Sequence, residues 1–278
     1  MKTEVQKNFS YFARFFPDTS PVIHPTAIVS PLAKLGRNIR IGPFCIVGAN
    51  VEIGDNCVLH SHVVLEGYTR IGRNNEFFPF AAIGGKTQDL KYVGEPTYLE
   101  IGESNVFREN TTVHRGTNAD LPTRIGSHNL FLAYSHVAHE CQLGNHIILS
   151  NSVAMAGHVV VEDHAIVSGA AAIHQFTRIG CHSIIGGCSK INQDVPPYMI
   201  VDGNPASTRG LNIVGLQRRN FSEEDIRSIK FAYKKLFLKK DGNLATALSS
   251  LKAMHEGDLP HVAHLVRFIE NSQRGVTR

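Results

Sequence analysis

No apolar run in this 278-residue chain approaches the roughly 18 residues a membrane-spanning helix needs, so no membrane span is expected. Cysteine is scarce and unpatterned. Cys45, Cys57, Cys141, Cys181 and Cys188 are odd in number and never spaced C-x-x-C. That argues against a disulfide framework or a zinc knuckle and fits a reducing, cytoplasmic compartment. Residues 1–20 carry Lys2, Glu4, Lys7, Arg14 and Asp18 among aromatics, without a continuous apolar core or a small-residue cleavage site. They are read as part of an N-terminal extension, 1–21, and not as a signal peptide. The net charge of +4 is too weak to suggest nucleic acid. What excess exists lies late in the chain, where Gln217–Arg278 holds 12 Lys+Arg against 7 Asp+Glu. It reads either as a solvated helical face or as a docking surface for an acidic partner.

With 42% hydrophobic and 19% charged residues the chain is globular. Its dominant signal is a period of six. From Ile23 through Val29, Leu35 and Ile41 to Ile191, 26 of the 29 positions at this spacing are large and apolar. Asp89, Glu95 and Ala119 alone fail, inside Gly84–Leu99 and Gly116–Thr123, which read as two loops leaving the repeat. Six suits neither a helix nor an alternating strand. It suits short strands joined by tight corners, with one bulky side chain per strand inward and Gly or Asn relaxing the turns. Three sixes make a triangular coil, so 22–201 is expected to be a parallel β-helix of about ten coils, stacked about 4.8 Å apart. Val195-Pro196-Pro197 ends the rod, and 202–278 is expected to be a small α-helical domain. Ser222 to Asp225 reads as a helix N-cap with a Phe221–Ile226 staple. Apolar faces at Ile226, Ile229, Tyr233 and Leu236, at Leu244, Leu248 and Leu251, and at Val262, Leu265, Val266 and Ile269 predict three helices.

Residues about 18 apart should lie over one another on adjacent coils. His139, His158 and His174 then fall within one residue of a vertical line, with His136 on the first of these coils. A gathered set of neutral imidazoles can take a proton from a hydroxyl. Three histidines can instead hold a metal, but side chains on successive coils of one subunit span too far for ligands that must converge at about 2.0–2.1 Å. A metal would therefore need a subunit interface, and none is expected.

The segments Gln88-Asp89-Leu90-Lys91-Tyr92, His114-Arg115-Gly116-Thr117, His136-Val137-Ala138-His139, Ala156-Gly157-His158-Val159, Ile173-His174-Gln175-Phe176 and Gln193 to Tyr198 occur here in order. As a set they resemble the UDP-N-acetylglucosamine O-acyltransferases, which are hexapeptide-repeat transferases of lipid A biosynthesis. The likeness runs from about His24 to the C-terminus. It implies a left-handed winding, which spacing cannot show, and a homotrimer with active sites between subunits. It also implies transfer of a 3-hydroxyacyl chain from acyl carrier protein to the 3-position of UDP-N-acetylglucosamine, without a cofactor.

By the same resemblance His139 is the general base, Gly157 supplies a backbone N–H to the oxyanion, and Glu140 is a possible orienter of the imidazole. His136, His158, His174 and Gln175 hold sugar and acyl groups. Asp89 and Lys91 sit on a loop reaching in from the neighbouring subunit. Asn212, Arg218 and Arg219 contact the nucleotide, Gly187 limits acyl length, and the basic C-terminal helices receive the carrier protein. Plainer readings stand beside these: corner histidines held by backbone, an exposed Asp89–Lys91 pair, solvated arginines leading into a helix, and a glycine serving only its corner. Cys141, two residues from His139, is a possible covalent acyl carrier, yet its place in the repeat is that of small corner residues. Two positions depart from the family: Val214 stands where an acidic residue is common, and Glu140 where Asp is usual. The alternatives are a UDP 3-amino sugar acceptor giving an amide, the related UDP-3-O-acylglucosamine N-acyltransferase, and a β-helix that only binds a carrier protein.

Overall fold

The computed structural model describes residues 22–238, 244–254 and 259–278. The extension expected over 1–21 lies outside them, as do Lys239, Lys240, Asp241, Glu256 and Asp258 of the basic segment.

Short strands recur every six residues and stack into three sheets of 11, 9 and 8 strands, one for each side of a triangular prism. The first face starts at Val22–Ile23, the second at Ile28–Val29 and the third at Lys34–Leu35. Pairing between coils is parallel, and the register is eighteen residues: Ile28 lies on Ile46, and His136 on Ala154. This is the left-handed parallel β-helix expected, followed by a helical part.

The two loops explain how the hexad survives interruption. Ile71 pairs with Ile101 and Ile101 with Ile125, so the excursions add two sixes and then one six to a coil. The chain thus re-enters in phase, and Asp89, Glu95 and Ala119 are the places where an inward residue is not needed. Both loops leave the second face, after Ala82–Gly85 and Thr112–His114, and rejoin the third at Tyr98–Ile101 and Thr123–Ile125. They therefore sit on one edge of the prism, on adjacent coils.

Inward residues fill the prism. Phe77, Phe107 and Phe131 are fully buried and stack at 4.9 and 4.7 Å. The corners differ from expectation. Their left-handed positions are taken by Asn38, Asn56 and Asn74 but also by His62, Phe80, His128, His146, His158, His164, Phe176 and His182. An L-residue there costs about 1–2 kcal/mol. Rings on successive coils offset much of it by stacking, as for His62 on Phe80 at 4.9 Å and His158 on Phe176 at 4.5 Å. Glycine serves close approach instead: a Cβ on Gly126 would lie 2.5 Å from the Gly144 carbonyl oxygen of the next coil.

The rod ends in an antiparallel hairpin, Met199–Gly203 with Ala206–Leu211, added to the first face. The expected helices follow as α2 (Glu223–Tyr233), α3 (Leu244–Met254) and α4 (Pro260–Glu270), with a π-helical turn at Lys234–Leu238. Both bonds of the Ser222–Asp225 capping box are present. A further short helix, α1 (Ile213–Arg218), was not expected. The Asn212 side chain caps it by accepting the Gly215 N–H at 3.0 Å. The last residues return to the rod, where Thr277 N–H donates to the Asp194 carbonyl at 2.9 Å. Among the described residues no helix is long and apolar enough to cross a membrane.

Candidate active site

Strand His136–Val137 leads into the corner between the second and third faces, where His139 and Glu140 form the turn. Glu140 adopts a left-handed conformation (φ 53°) and is buried beneath the second loop. Its Oε1 accepts the backbone N–H groups of Thr117 and of Asn118, the latter at 2.8 Å. These two amides belong to the second excursion loop, and they offset the cost of burying a carboxylate. Oε2 is in short contact with His139 Nδ1 and lies 3.6 Å from His158 Nε2. With Nδ1 committed to Glu140, Nε2 is the nitrogen His139 can turn to a substrate. The longer arm of Glu140 therefore still reaches the imidazole.

Gly157 lies directly over that ring. A Cβ there would fall 2.4 Å from His139 Cε1 and 2.6 Å from Nε2. Among the described residues its N–H has no acceptor, as is true of the corner amides of His139 and Gln175. His158, on the same coil, meets His139 edge to face at 5.3 Å. Burial lowers the pKa of His158 in spite of the opposing pull of Glu140. His136 is held by Thr112 Oγ1 at 2.7 Å from its Nδ1, and burial, with the charge of His139 adding to it, lowers its pKa.

Register places the three histidines within one residue of one line, as expected, but on three different positions of the corner. With coils offset by eighteen, Glu140 aligns with His158 and Phe176, His139 with Gly157 and Gln175, and Ala138 with Ala156 and His174. His139 and His158 meet because their rings cross between two lines. His174 is exposed, with Nδ1 3.0 Å from the Gln175 carbonyl oxygen, and it touches neither of them. Gln175 is exposed on the His139 line.

Asp89 and Lys91 lie close enough to bias the charge of His158 in their own chain, Asp89 raising its pKa and Lys91 lowering it. Arg115 anchors the first loop by donating to Gly84 O at 3.0 Å, Thr97 Oγ1 at 3.2 Å and Tyr92 Oη at 3.3 Å.

The other expected residues sit on different corners. Gly187 belongs to the corner between the first and second faces, where a Cβ would approach the Gly169 carbonyl at 3.3 Å. Asn212 and Arg219 lie at the corner between the third and first faces. There the Asn212 amide donates to the His182 carbonyl at 2.8 Å, so both ends of this side chain are engaged in holding α1. Arg219 Nη1 is 2.6 Å from His164 Nδ1, and Arg218 is exposed.

Sequence reasoning passed over three residues. His114 packs edge to face on His136 at 4.8 Å, and burial, then the charges of His136, His139 and Arg115, push it down to about 4. Its place just ahead of the second loop was the available signal. Arg115, the loop anchor, follows it in the same segment. His164 holds Arg219 and carried no signal beyond its place in the hexad. Cys141 is a core thiol: it is fully buried, faces the Ala156 carbonyl at 3.2 Å, and burial pushes it up to about 12. The spacing argument against a metal in one subunit also needs correction. Ligand atoms of His139, Glu140 and His158 lie within 4.8 Å of one another in a single chain, because a corner turns side chains of adjacent coils toward a common point.

The profile of the bacterial transferase hexapeptide family (six repeats) matches residues 21–67. That of Udp N-acetylglucosamine O-acyltransferase, domain 2, matches residues 194–277. An acyl-[acyl-carrier-protein]–UDP-N-acetylglucosamine O-acyltransferase from Akkermansia muciniphila is 51% identical over 255 residues, covering 92% of this chain and 98% of the relative. The crystal structure of a UDP-N-acetylglucosamine acyltransferase from Bacteroides fragilis superposes with a TM-score of 0.89 at 41% identity, covering 92% of this chain and all of that one (100%). A UDP-N-acetylglucosamine O-acyltransferase from Moraxella catarrhalis gives 0.88 at 43%, covering 92% of this chain and 99% of its own. With identity of 51% across nearly the whole relative, this chain belongs to the acyl-[acyl-carrier-protein]–UDP-N-acetylglucosamine O-acyltransferase family.

Proposed function

We propose that this enzyme, which transfers an acyl chain from acyl carrier protein to UDP-N-acetylglucosamine in the first step of lipid A biosynthesis, does so in one direct displacement with His139 as general base. His139 Nε2 takes the proton of the sugar 3-hydroxyl as that oxygen attacks the thioester carbonyl of a 3-hydroxyacyl chain. The Gly157 N–H steadies the oxyanion without reorganising. The carbon–sulfur bond then breaks, and His139 returns the proton to the departing carrier thiolate. A thioester is already activated, so the scheme calls for no cofactor, and Cys141 is too deeply buried to act as a relay.

The observation that carries this reading is the His139–Glu140 pair, held by two loop amides beneath Gly157. His158, His136 and Gln175 would border the sugar and acyl groups, with Asp89 and Lys91 over the same edge. His174 would border it one position further round the corner. Arg218 and Arg219 are guanidiniums suited to a diphosphate, and Asn212 acts through the helix it caps. These lie a corner away from His139, so a complete site needs two subunits. This is the physical motive for a trimer. Gly187, bare on its corner, leaves room for a long acyl chain. The exposed basic residues of the C-terminal helices suit an acidic carrier protein, and the location proposed is the cytoplasm.

Subunit mixing tests the shared site. His139→Ala and Arg219→Ala should each be inactive with 3-hydroxyacyl carrier protein. Co-expressed, they should recover activity, because each mixed trimer contains one interface with both residues intact. Failure to recover would sink the two-subunit reading. Offering a UDP 3-amino sugar beside UDP-N-acetylglucosamine separates ester from amide formation.

A further inference from the structure

A second cluster of chemistry-bearing side chains lies away from His139, where the end of the rod meets the last helix. Glu162 and Cys181 stand on successive coils at the corner between the third and first faces, and His264 comes from α4. One ligand atom from each falls within 4.8 Å of the others. Glu162 Oε2 accepts the Cys181 backbone N–H at 2.9 Å and lies 2.7 Å from His264 Nε2. All three residues are half-buried, so solvent and small ions reach them. The acyl-transfer scheme uses none of them.

Thiolate, imidazole and carboxylate together form the ligand chemistry of a borderline-soft divalent ion. Around tetrahedral zinc, with bonds of about 2.0–2.3 Å, such atoms stand about 3.3–3.6 Å apart. The three ligand atoms, all within 4.8 Å of one another, stand near that spacing. A metal would replace the proton now shared between His264 and Glu162 and the proton on Cys181. The Tyr198 hydroxyl is close enough to hydrogen-bond with Cys181, and it lies 3.3 Å from His261 Nδ1, so a second layer of polar groups backs the thiol.

We propose that Glu162, Cys181 and His264 form a zinc site, with water as the fourth ligand, that clamps the last helix onto the end of the β-helix. The site joins residues 102 apart in the chain, so metal binding would stabilise the native chain as a whole. Ligation takes the Cys181 thiol as thiolate, so uptake releases a proton and strengthens with pH.

Full-length protein, stripped with a chelator, is titrated with Co2+ and with Zn2+. One equivalent of Co2+ should give a near-ultraviolet sulfur-to-cobalt band together with the visible bands of a tetrahedral ion. Cys181→Ala should abolish the sulfur band, and His264→Ala should weaken Co2+ binding at least about tenfold. Zn2+ should raise the thermal midpoint of the wild type but of neither variant. The His139, Glu140 and His158 group has no sulfur, so cobalt bound there gives no such band. A wild type without the sulfur band overturns the proposal. So does a band that survives Cys181→Ala, or affinity unchanged in His264→Ala, whose side chain is exposed enough to be lost without unfolding the helix.

Discussion

The substitution Gly157→Ala separates two roles that the same residue can have. If Gly157 contributes only its N–H, alanine keeps the donor and should be tolerated. The structure argues otherwise, because the added Cβ would stand 2.4 to 2.9 Å from three atoms of the His139 ring. Ordinary contact needs about 3.5 Å or more, so the ring must move by about 1 Å. It cannot slide freely, since Nδ1 is bound to Glu140, which is itself pinned by the Thr117 and Asn118 amides. A misplacement of about 1 Å in a reacting group costs on the order of 10²-fold in rate. Overpacking should cost about 1–3 kcal/mol of stability, leaving the chain folded. Steady-state turnover with acyl carrier protein thioester and UDP-N-acetylglucosamine should show kcat down about 100-fold, with KM little changed. In a His139→Ala background the same substitution should cost almost nothing further, because both act through one ring. A Gly157→Ala enzyme within about fivefold of wild type, or losses that multiply in the double variant, would refute this reasoning.

Glu140→Gln keeps the shape of the pair but removes the charge beside His139 Nδ1, and kcat should drop about 10²–10⁴-fold without loss of fold, as read by turnover and thermal melting. Arg115→Ala removes three bonds that hold the first loop, and KM for the UDP-sugar should rise about tenfold with a smaller change in kcat. His164→Ala frees the Arg219 guanidinium and should weaken UDP-sugar binding measured calorimetrically, with a modest fall in thermal midpoint from the lost stacking on His146 and His182. His114, His164 and His182 are each held down to about 4 by burial first. The unfolded chain takes up their protons near the ordinary 6.5 and the folded chain only near 4, so stability is full above about pH 6.5 and falls as pH drops toward 4. Urea midpoints at pH 7, 5.5 and 4.5 should decline in that order, and a flat series would contradict it.

The chain of apolar residues from Ile23 to Ile191 made the prism legible, because one inward side chain per strand is a local requirement repeated every six residues. The two loops were legible for the same reason. Asp89, Glu95 and Ala119 broke a rule that holds only inside the coil. The capping box at Ser222 could likewise be read from adjacent residues, whereas the Asn212 cap was missed because α1 is too short to show a period. His139 and Gly157 were found through an ordered set of segments, and their geometry was not.

The period alone determined that this polypeptide winds and how wide it winds, since both follow from volume and backbone geometry within a few neighbouring residues. Tertiary structure decided which histidines meet. A displacement of one residue around a corner turns a side chain to a different side, so His174 leaves the group that spacing gave it and Glu140 enters the centre. It also decided that Arg219 and His139 occupy separate edges, because the position of α1 depends on contacts with coils far back in the chain, such as the His182 carbonyl.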